Sequence, residues 1–126
     1  MSVLVDSSAW IEYFRNAEQS DVLEMLIEEN LVVTNELILA ELIPALQMRK
    51  LSELTTLLRE IKRQPMNIDW NDIIKMQTLC LNNGSNGVGI PDLIIAQNSI
   101  QGGLRLLSND KHLFIIAKFL SLDIYR

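Results

Sequence analysis

The sequence predicts an α/β fold built on a parallel sheet, and three observations carry that prediction. Short apolar runs (Val3-Leu4-Val5, Leu31-Val32-Val33, Leu104 to Leu107) recur between longer segments whose apolar residues follow helical spacing. These runs do not alternate apolar with polar residues, as expected of strands covered on both faces. No repeat, linker or low-complexity tract interrupts the 126 residues, so one domain over residues 1–126 with right-handed crossovers is expected.

Each element follows from its residues. Ser2 to Asp6 reads as the first strand, and Ser7 or Ser8 as the cap of a helix through Trp10, Ile11 and Phe14. Val22, Leu23, Leu26 and Ile27 mark a helix from about Ser20 to Glu29. Leu31 to Val33, short and β-branched, is the second strand. Thr34 or Asn35 caps the next helix, which carries Leu37, Ile38, Glu41, Leu42 and Leu46, with a kink or early end expected at Pro44. Leu51, Leu54, Leu57, Leu58 and Ile61 form another helix, ended before Pro65.

Met66 to Ile68 is the third expected strand, and Asp69 caps a helix through Trp70, Ile73, Ile74, Gln77 and Leu81. The Met and Trp residues read as core packing, with Met66 and Met76 on apolar faces. Asn82 to Gly89 is a loop, and Pro91 opens a helix that Gly102-Gly103 stops. Leu104 to Leu107 is the fourth strand. A last helix carries Leu113, Ile116, Ala117 and Leu120, and Leu122 to Ile124 is a candidate fifth strand at the edge.

Bulk properties exclude several classes. Hydrophobic residues at 48% against 21% charged exclude a disordered chain. The lone Cys80 cannot form an internal disulfide and reads as a core residue, so a reducing compartment is expected. With no basic and apolar leader and no run of bilayer length, the expectation is a cytoplasmic protein with no membrane partner. A net charge of −5 argues against general electrostatic coating of nucleic acid. Arg49, Lys50, Arg59, Lys62 and Arg63 nevertheless fall in one window, suited to a solvated helix face or to a partner segment.

The informative residues are four acids. Asp6 follows the first strand, at the edge where open α/β sheets bind ligands, although Asp is also common as a turn residue there. Glu41 sits in the nearly apolar helix 37–43, which has little solvated stripe to offer it; Glu36, at that helix's start, is explained by the helix dipole. Asp92 lies in the first turn before Leu93-Ile94-Ile95-Ala96, where a dipole role alone would account for it. Either Asn109 or Asp110 caps the last helix. Each acid has an innocent reading, but four from separate segments have a divalent cation as their simplest shared partner. Such a cation relieves their repulsion, neutralises phosphate charge and acidifies an attacking water.

Other motifs fail. Gly84 to Gly89 has neither dinucleotide-fingerprint spacing nor the Lys-Ser/Thr ending of a P-loop. His112 is the only histidine, no nucleophile elbow is present, and His and Cys are too few for zinc.

Val3-Leu4-Val5-Asp6-Ser7-Ser8-Ala9-Trp10-Ile11-Glu12 resembles the opening of PIN-domain proteins, in particular the VapC-like toxins of toxin–antitoxin pairs. Thr34 to Leu42, Gly89-Ile90-Pro91-Asp92-Leu93-Ile94-Ile95-Ala96 and Leu106-Leu107-Ser108-Asn109-Asp110-Lys111-His112 resemble the family's second, third and fourth acidic motifs, in order along the whole chain. The resemblance implies a three-layer α/β/α sandwich with a parallel four- or five-stranded sheet. It also implies a Mg²⁺- or Mn²⁺-dependent endoribonuclease in which Asp6 and Asp92 are the most direct metal ligands and Glu41 and Asp110 complete the site. Ser108 stands where the family often has Thr, in reach of a carboxylate or water, and Ser7 is a second supporting hydroxyl. His112 stands where many members carry another Asp or a His. A homodimer and a small antitoxin gripping the helices from Leu37 to Ile61 are further implications. Two rivals remain. One is a non-catalytic PIN-like module that binds RNA or protein. The other is a phosphotransfer domain with Asp6 as nucleophile, which wants a second acid where Ser8 stands.

Overall fold

A computed structural model describes residues 1–15 and 21–125. Four parallel strands, β1 (Val3–Val5), β2 (Val32–Thr34), β3 (Lys62–Arg63) and β4 (Arg105–Leu107), lie in the order β3-β2-β1-β4. Around them run α1 (Ser7–Arg15), α2 (Asp21–Glu28), α3 (Glu36–Met48), α4 (Ser52–Glu60), α5 (Trp70–Asn82), α6 (Ile90–Gln101) and α7 (Lys111–Phe119). The mixed α/β architecture with a parallel sheet is the one the apolar runs predict. All three β1 residues are buried, because β1 is central and covered on both faces.

Register ties the centre together. Val3 and Leu4 pair with Val32 and Val33 on one side, and Val3 to Val5 pair with Arg105 to Leu107 on the other. The chain leaves β1 toward β2 and returns to β1's other flank as β4, so the strand order reverses between β1 and β4. The carboxyl ends of those two strands, carrying Asp6 and Ser108 to Asp110, therefore border the crevice where open α/β sheets bind ligands. The core combines Leu4, Trp10, Leu26, Ile38, Leu58, Ile73, Leu93, Ile95, Leu106, Leu113 and Ile116 from every layer. No helix among the described residues is long and apolar enough to cross a membrane.

Several expectations are corrected. The third strand is Lys62–Arg63, not Met66 to Ile68: both its residues are exposed, and it pairs at the sheet's edge with Val33 and Thr34. An edge strand with its side chains in water needs no apolar run, so it leaves no hydropathy signal. Pro44 does not end α3, which continues four residues to Met48, and its ring lies on an exposed face of the helix. Trp70 is 57% exposed at the start of α5, whereas Trp10 and Met76 are buried as expected. Leu122 to Ile124 contributes a single parallel bridge, Leu106 to Ile124, rather than a fifth strand. The second helix begins at Asp21, and the expectation for Ser20 lies outside the described residues.

Candidate functional site

Asp6 is the deepest of the four acids, 3% exposed where β1 ends. Its backbone begins α1, the Asp6 carbonyl accepting from the N–H groups of Ala9 and Trp10 at 3.1 and 3.2 Å. Its own N–H donates to Leu107 O of β4 at 2.9 Å, which locks the strand end in place. The carboxylate turns to two hydroxyls: Ser8 Oγ donates to Asp6 Oδ2 at 2.7 Å and Ser108 Oγ donates to the same oxygen at 2.9 Å.

Both hydroxyls are fixed in polarity from behind. Asn109 N–H donates to Ser8 Oγ and Asp110 N–H donates to Ser108 Oγ, each at 3.0 Å. With acceptor sites taken by amides, each hydroxyl proton is directed at Asp6, and the 3.2 Å approach of the two Oγ atoms is a close contact between parallel donors. The serines expected to cap α1 therefore do something else. Ser7 and Ser8 lie inside its first turn; Ser8 serves Asp6, and Ser7 lies near enough to Glu41 to lower its proton affinity. From sequence Ser8 carries only a capping signal, because the Ser108 and Asn109 groups that orient its hydroxyl toward Asp6 lie about a hundred residues away.

Asp92 and Asp110 combine the structural and the site-facing role. Asp92 Oδ2 accepts from Gly89 N–H at 3.2 Å across the first turn of α6. Asp110, rather than Asn109, caps α7, its Oδ1 accepting from His112 N–H at 2.9 Å. His112 Nδ1 lies 3.3 Å from Asp110 Oδ1 and 3.8 Å from Asp92 Oδ2. One ligand atom from each of Asp92, Asp110 and His112 falls within 4.8 Å of the others. His112 is the site member that sequence alone undervalued; its position two residues after an acid at a strand end was the available signal.

Glu41 arrives from α3 for a different reason than expected. It is exposed rather than trapped in an apolar helix, because Glu36, Ala40, Glu41, Pro44 and Ala45 form a solvated stripe. Its carboxyl nevertheless senses the other three acids. Although the residue as a whole is exposed, partial desolvation of its carboxyl first, then the charge of Asp6 and those of Asp92 and Asp110, raise its proton affinity, while the Ser7 hydroxyl works the other way. Burial likewise leads in raising the Asp92 pKa; the Gly89 hydrogen bond opposes it, Asp110 and Asp6 add to it, and His112 opposes it. Among the described residues no Lys or Arg forms a salt bridge with any of these four acids. Arg63, from the basic window, pairs instead with Glu36 at 2.9 Å.

The donor set fits a hard divalent cation. Carboxylates whose proton affinity is raised by burial and by one another's charge have a repulsion that a cation relieves, and carboxylate oxygens suit hard divalent cations such as Mg²⁺ and Mn²⁺.

A family model for the PIN domain matches residues 3–119. Among solved structures, VapBC2 from Rickettsia felis, bound to a DNA fragment from its promoter, superposes with a TM-score of 0.77 at 19% identity, over 99% of this chain and 98% of that one. DNA-bound VapBC from Salmonella typhimurium matches at 0.77 and 16%, covering 99% and 97%. VapBC-1 from nontypeable Haemophilus influenzae matches at 0.77 and 18%, again covering 99% and 97%. At such identities the likeness is one of fold. Comparison with curated proteins gives no sequence match.

Proposed function

Because the chain belongs to the PIN-domain family, we propose that it is a Mg²⁺- or Mn²⁺-dependent endoribonuclease and the toxin of a toxin–antitoxin pair. The observation that supports this reading is the grouping of Asp92, Asp110 and His112 within 4.8 Å of one another, with Asp6 and Glu41 near enough for their charges to bear on it and no Lys or Arg among the described residues salt-bridged to the four acids. That arrangement suits a cation and the phosphate it would attract.

In the proposed mechanism Asp6 and Asp92 are the principal ligands and Asp110 completes the set. A bound cation would neutralise phosphate charge and lower the pKa of a nearby water. Ser8 and Ser108 hold Asp6 in one orientation, which removes the entropy of arranging it at each turnover. Glu41 sits at the open side with a raised proton affinity, suited to orienting the attacking water and accepting its proton. Water oxygen then bonds to phosphorus as the opposite phosphorus–oxygen bond breaks, and the departing oxygen takes a proton from solvent.

The toxin role rests on the resemblance of the four motifs and on fold neighbours that are VapBC proteins. It brings a small antitoxin gripping α3 and α4, a homodimer and a cytoplasmic location as parts of the same proposal. The test is RNA cleavage by the purified chain with Mg²⁺ or Mn²⁺ and with excess EDTA. Asp6→Asn or Asp92→Asn is expected to lower cleavage by about a thousandfold or more with the circular dichroism spectrum unchanged. Cleavage that persists in EDTA, or in both variants, overturns the reading. A metal-independent RNA complex without products would favour the binding module, and a phosphorylated Asp6 the phosphotransfer domain.

A further inference from the structure

We propose that His112 is a nitrogen ligand of the metal and makes the site select Mn²⁺ over Mg²⁺. The inference rests on the metal-dependent reading above and deepens it, since that reading assigned the site to carboxylates alone.

The geometry starts from the imidazole's position. His112 Nδ1 faces two carboxylate oxygens, at 3.3 Å from Asp110 and 3.8 Å from Asp92. A ring nitrogen and two carboxylate oxygens so close together are stable only with something positive between them, a proton on the ring or a cation shared by all three. A cation with bonds of about 2.1 Å holds neighbouring ligand atoms about 3.0 Å apart at right angles and about 4.2 Å apart when opposed. Both separations fall inside that window, and the three ligand atoms all lie within 4.8 Å of one another.

The ring is also held from outside. α7 begins at Lys111, so Asp110 caps the turn that carries His112, and cap and ring move as one unit. On the far side, a Cβ at Gly87 would stand 3.2 Å from His112 Nε2, so the glycine lets the 83–89 loop close against the imidazole. With Nε2 against the loop, Nδ1 is the nitrogen presented to the acids.

The chemistry then separates the two cations. Mg²⁺ is hard, dehydrates reluctantly and gains little from imidazole, whereas Mn²⁺ begins the series whose affinity for nitrogen donors rises. An all-carboxylate site would separate them weakly; one imidazole in place of a water raises the affinity for Mn²⁺ more than that for Mg²⁺.

The experiment binds Mn²⁺ and Mg²⁺ separately to the full chain by isothermal titration calorimetry and records pulsed electron paramagnetic resonance of the Mn²⁺-loaded protein. The wild type is expected to show ¹⁴N coupling from one imidazole. His112→Ala should abolish that coupling and weaken Mn²⁺ about tenfold or more, while Mg²⁺ changes by less than about threefold. His112→Asn supplies an oxygen near the position of Nδ1 and should likewise leave Mg²⁺ binding little changed without restoring the Mn²⁺ preference. Mn²⁺ bound to wild type without nitrogen coupling, or with an affinity unchanged in both variants, overturns the role of His112 and leaves the carboxylate site standing. A wild type that binds neither cation overturns the metal-dependent function as well.

Discussion

The carboxylate of Asp6 receives two hydroxyl protons on one oxygen, and each hydroxyl is itself held by a backbone amide of the β4–α7 turn. Removing one member therefore does more than delete one bond. Ser108→Ala takes a donor from Asp6 and leaves the Asp110 N–H without its acceptor, at a cost of about 1–2 kcal/mol. We predict a lower denaturant midpoint of that size and, on the proposed function, cleavage reduced about tenfold. Ser108→Thr keeps the hydroxyl and should restore both, and equal losses in the two variants would contradict the donor role. At this scale the sequence was partly readable. Asp6, Asp92 and Asp110 stood out because an acid at a strand end or helix start is conspicuous against apolar neighbours. Glu41 is not enclosed as its apolar neighbours suggest; its interest comes from partial desolvation of its carboxyl and from charges reached across the sheet edge. The role of Ser8 is not readable, since a serine after a strand has a local explanation that its distant contacts override, and that of His112 is readable only as a position two residues after an acid at a strand end.

Elements carry these residues, and α3 shows how they are fixed. Asn35 caps it, its side-chain oxygen accepting from Ile38 N–H at 2.8 Å, while its amide donates to Asn98 Oδ1 of α6 at 2.9 Å. Asn98 in turn donates to Pro65 O at 3.0 Å. One buried amide chain thus ties the helix bearing Glu41 to the helix bearing Asp92 and to the segment after β3. Asn35→Ala loses the cap, about 1 kcal/mol, and strands Asn98 Oδ1 for about 1–2 kcal/mol more. Chemical denaturation should show a loss of about 2–3 kcal/mol. Asn35→Asp keeps a capping oxygen but sets a carboxylate against Asn98 Oδ1, so it too should destabilise; a neutral result would show that the cap alone matters. The cap was legible in the sequence as Thr34 or Asn35. The placement of β3 was not: Lys62 and Arg63 form a strand only because β2 offers an open edge, and Arg63 meets Glu36 there. Apolar Met66 to Ile68 drew the expectation instead, and Pro65 before them breaks the run.

Across the whole molecule the acidic edge is a stability term of definite sign. Glu41 and Asp92 hold their protons more tightly in the fold than at their ordinary values of 4.5 and 3.8. Folding is therefore favoured by protonation, and this contribution is fully present below those values. It is lost as pH rises through the raised ones. Without metal, the melting temperature should accordingly fall from mildly acid to neutral pH by more in the wild type than in Glu41→Gln/Asp92→Asn, and the double variant should melt higher at pH 7. A cation bound only by the folded chain acts in the opposite direction. At a hundredfold excess over its Kd it adds about 2.7 kcal/mol, roughly 10 °C for a chain of this length. The gain should grow as pH rises toward neutral, because the carboxylates must be ionised to bind it. Scanning calorimetry with EDTA and with Mn²⁺ across that range checks both slopes. Parallel pH profiles for wild type and double variant in EDTA would mean that the four acids do not share one field. A Mn²⁺ gain equally large in the double variant would mean that the cation sits elsewhere. The convergence seen in the fold predicts neither outcome, since Glu41 and Asp92 each owe part of their raised proton affinity to the same two neighbours, Asp6 and Asp110.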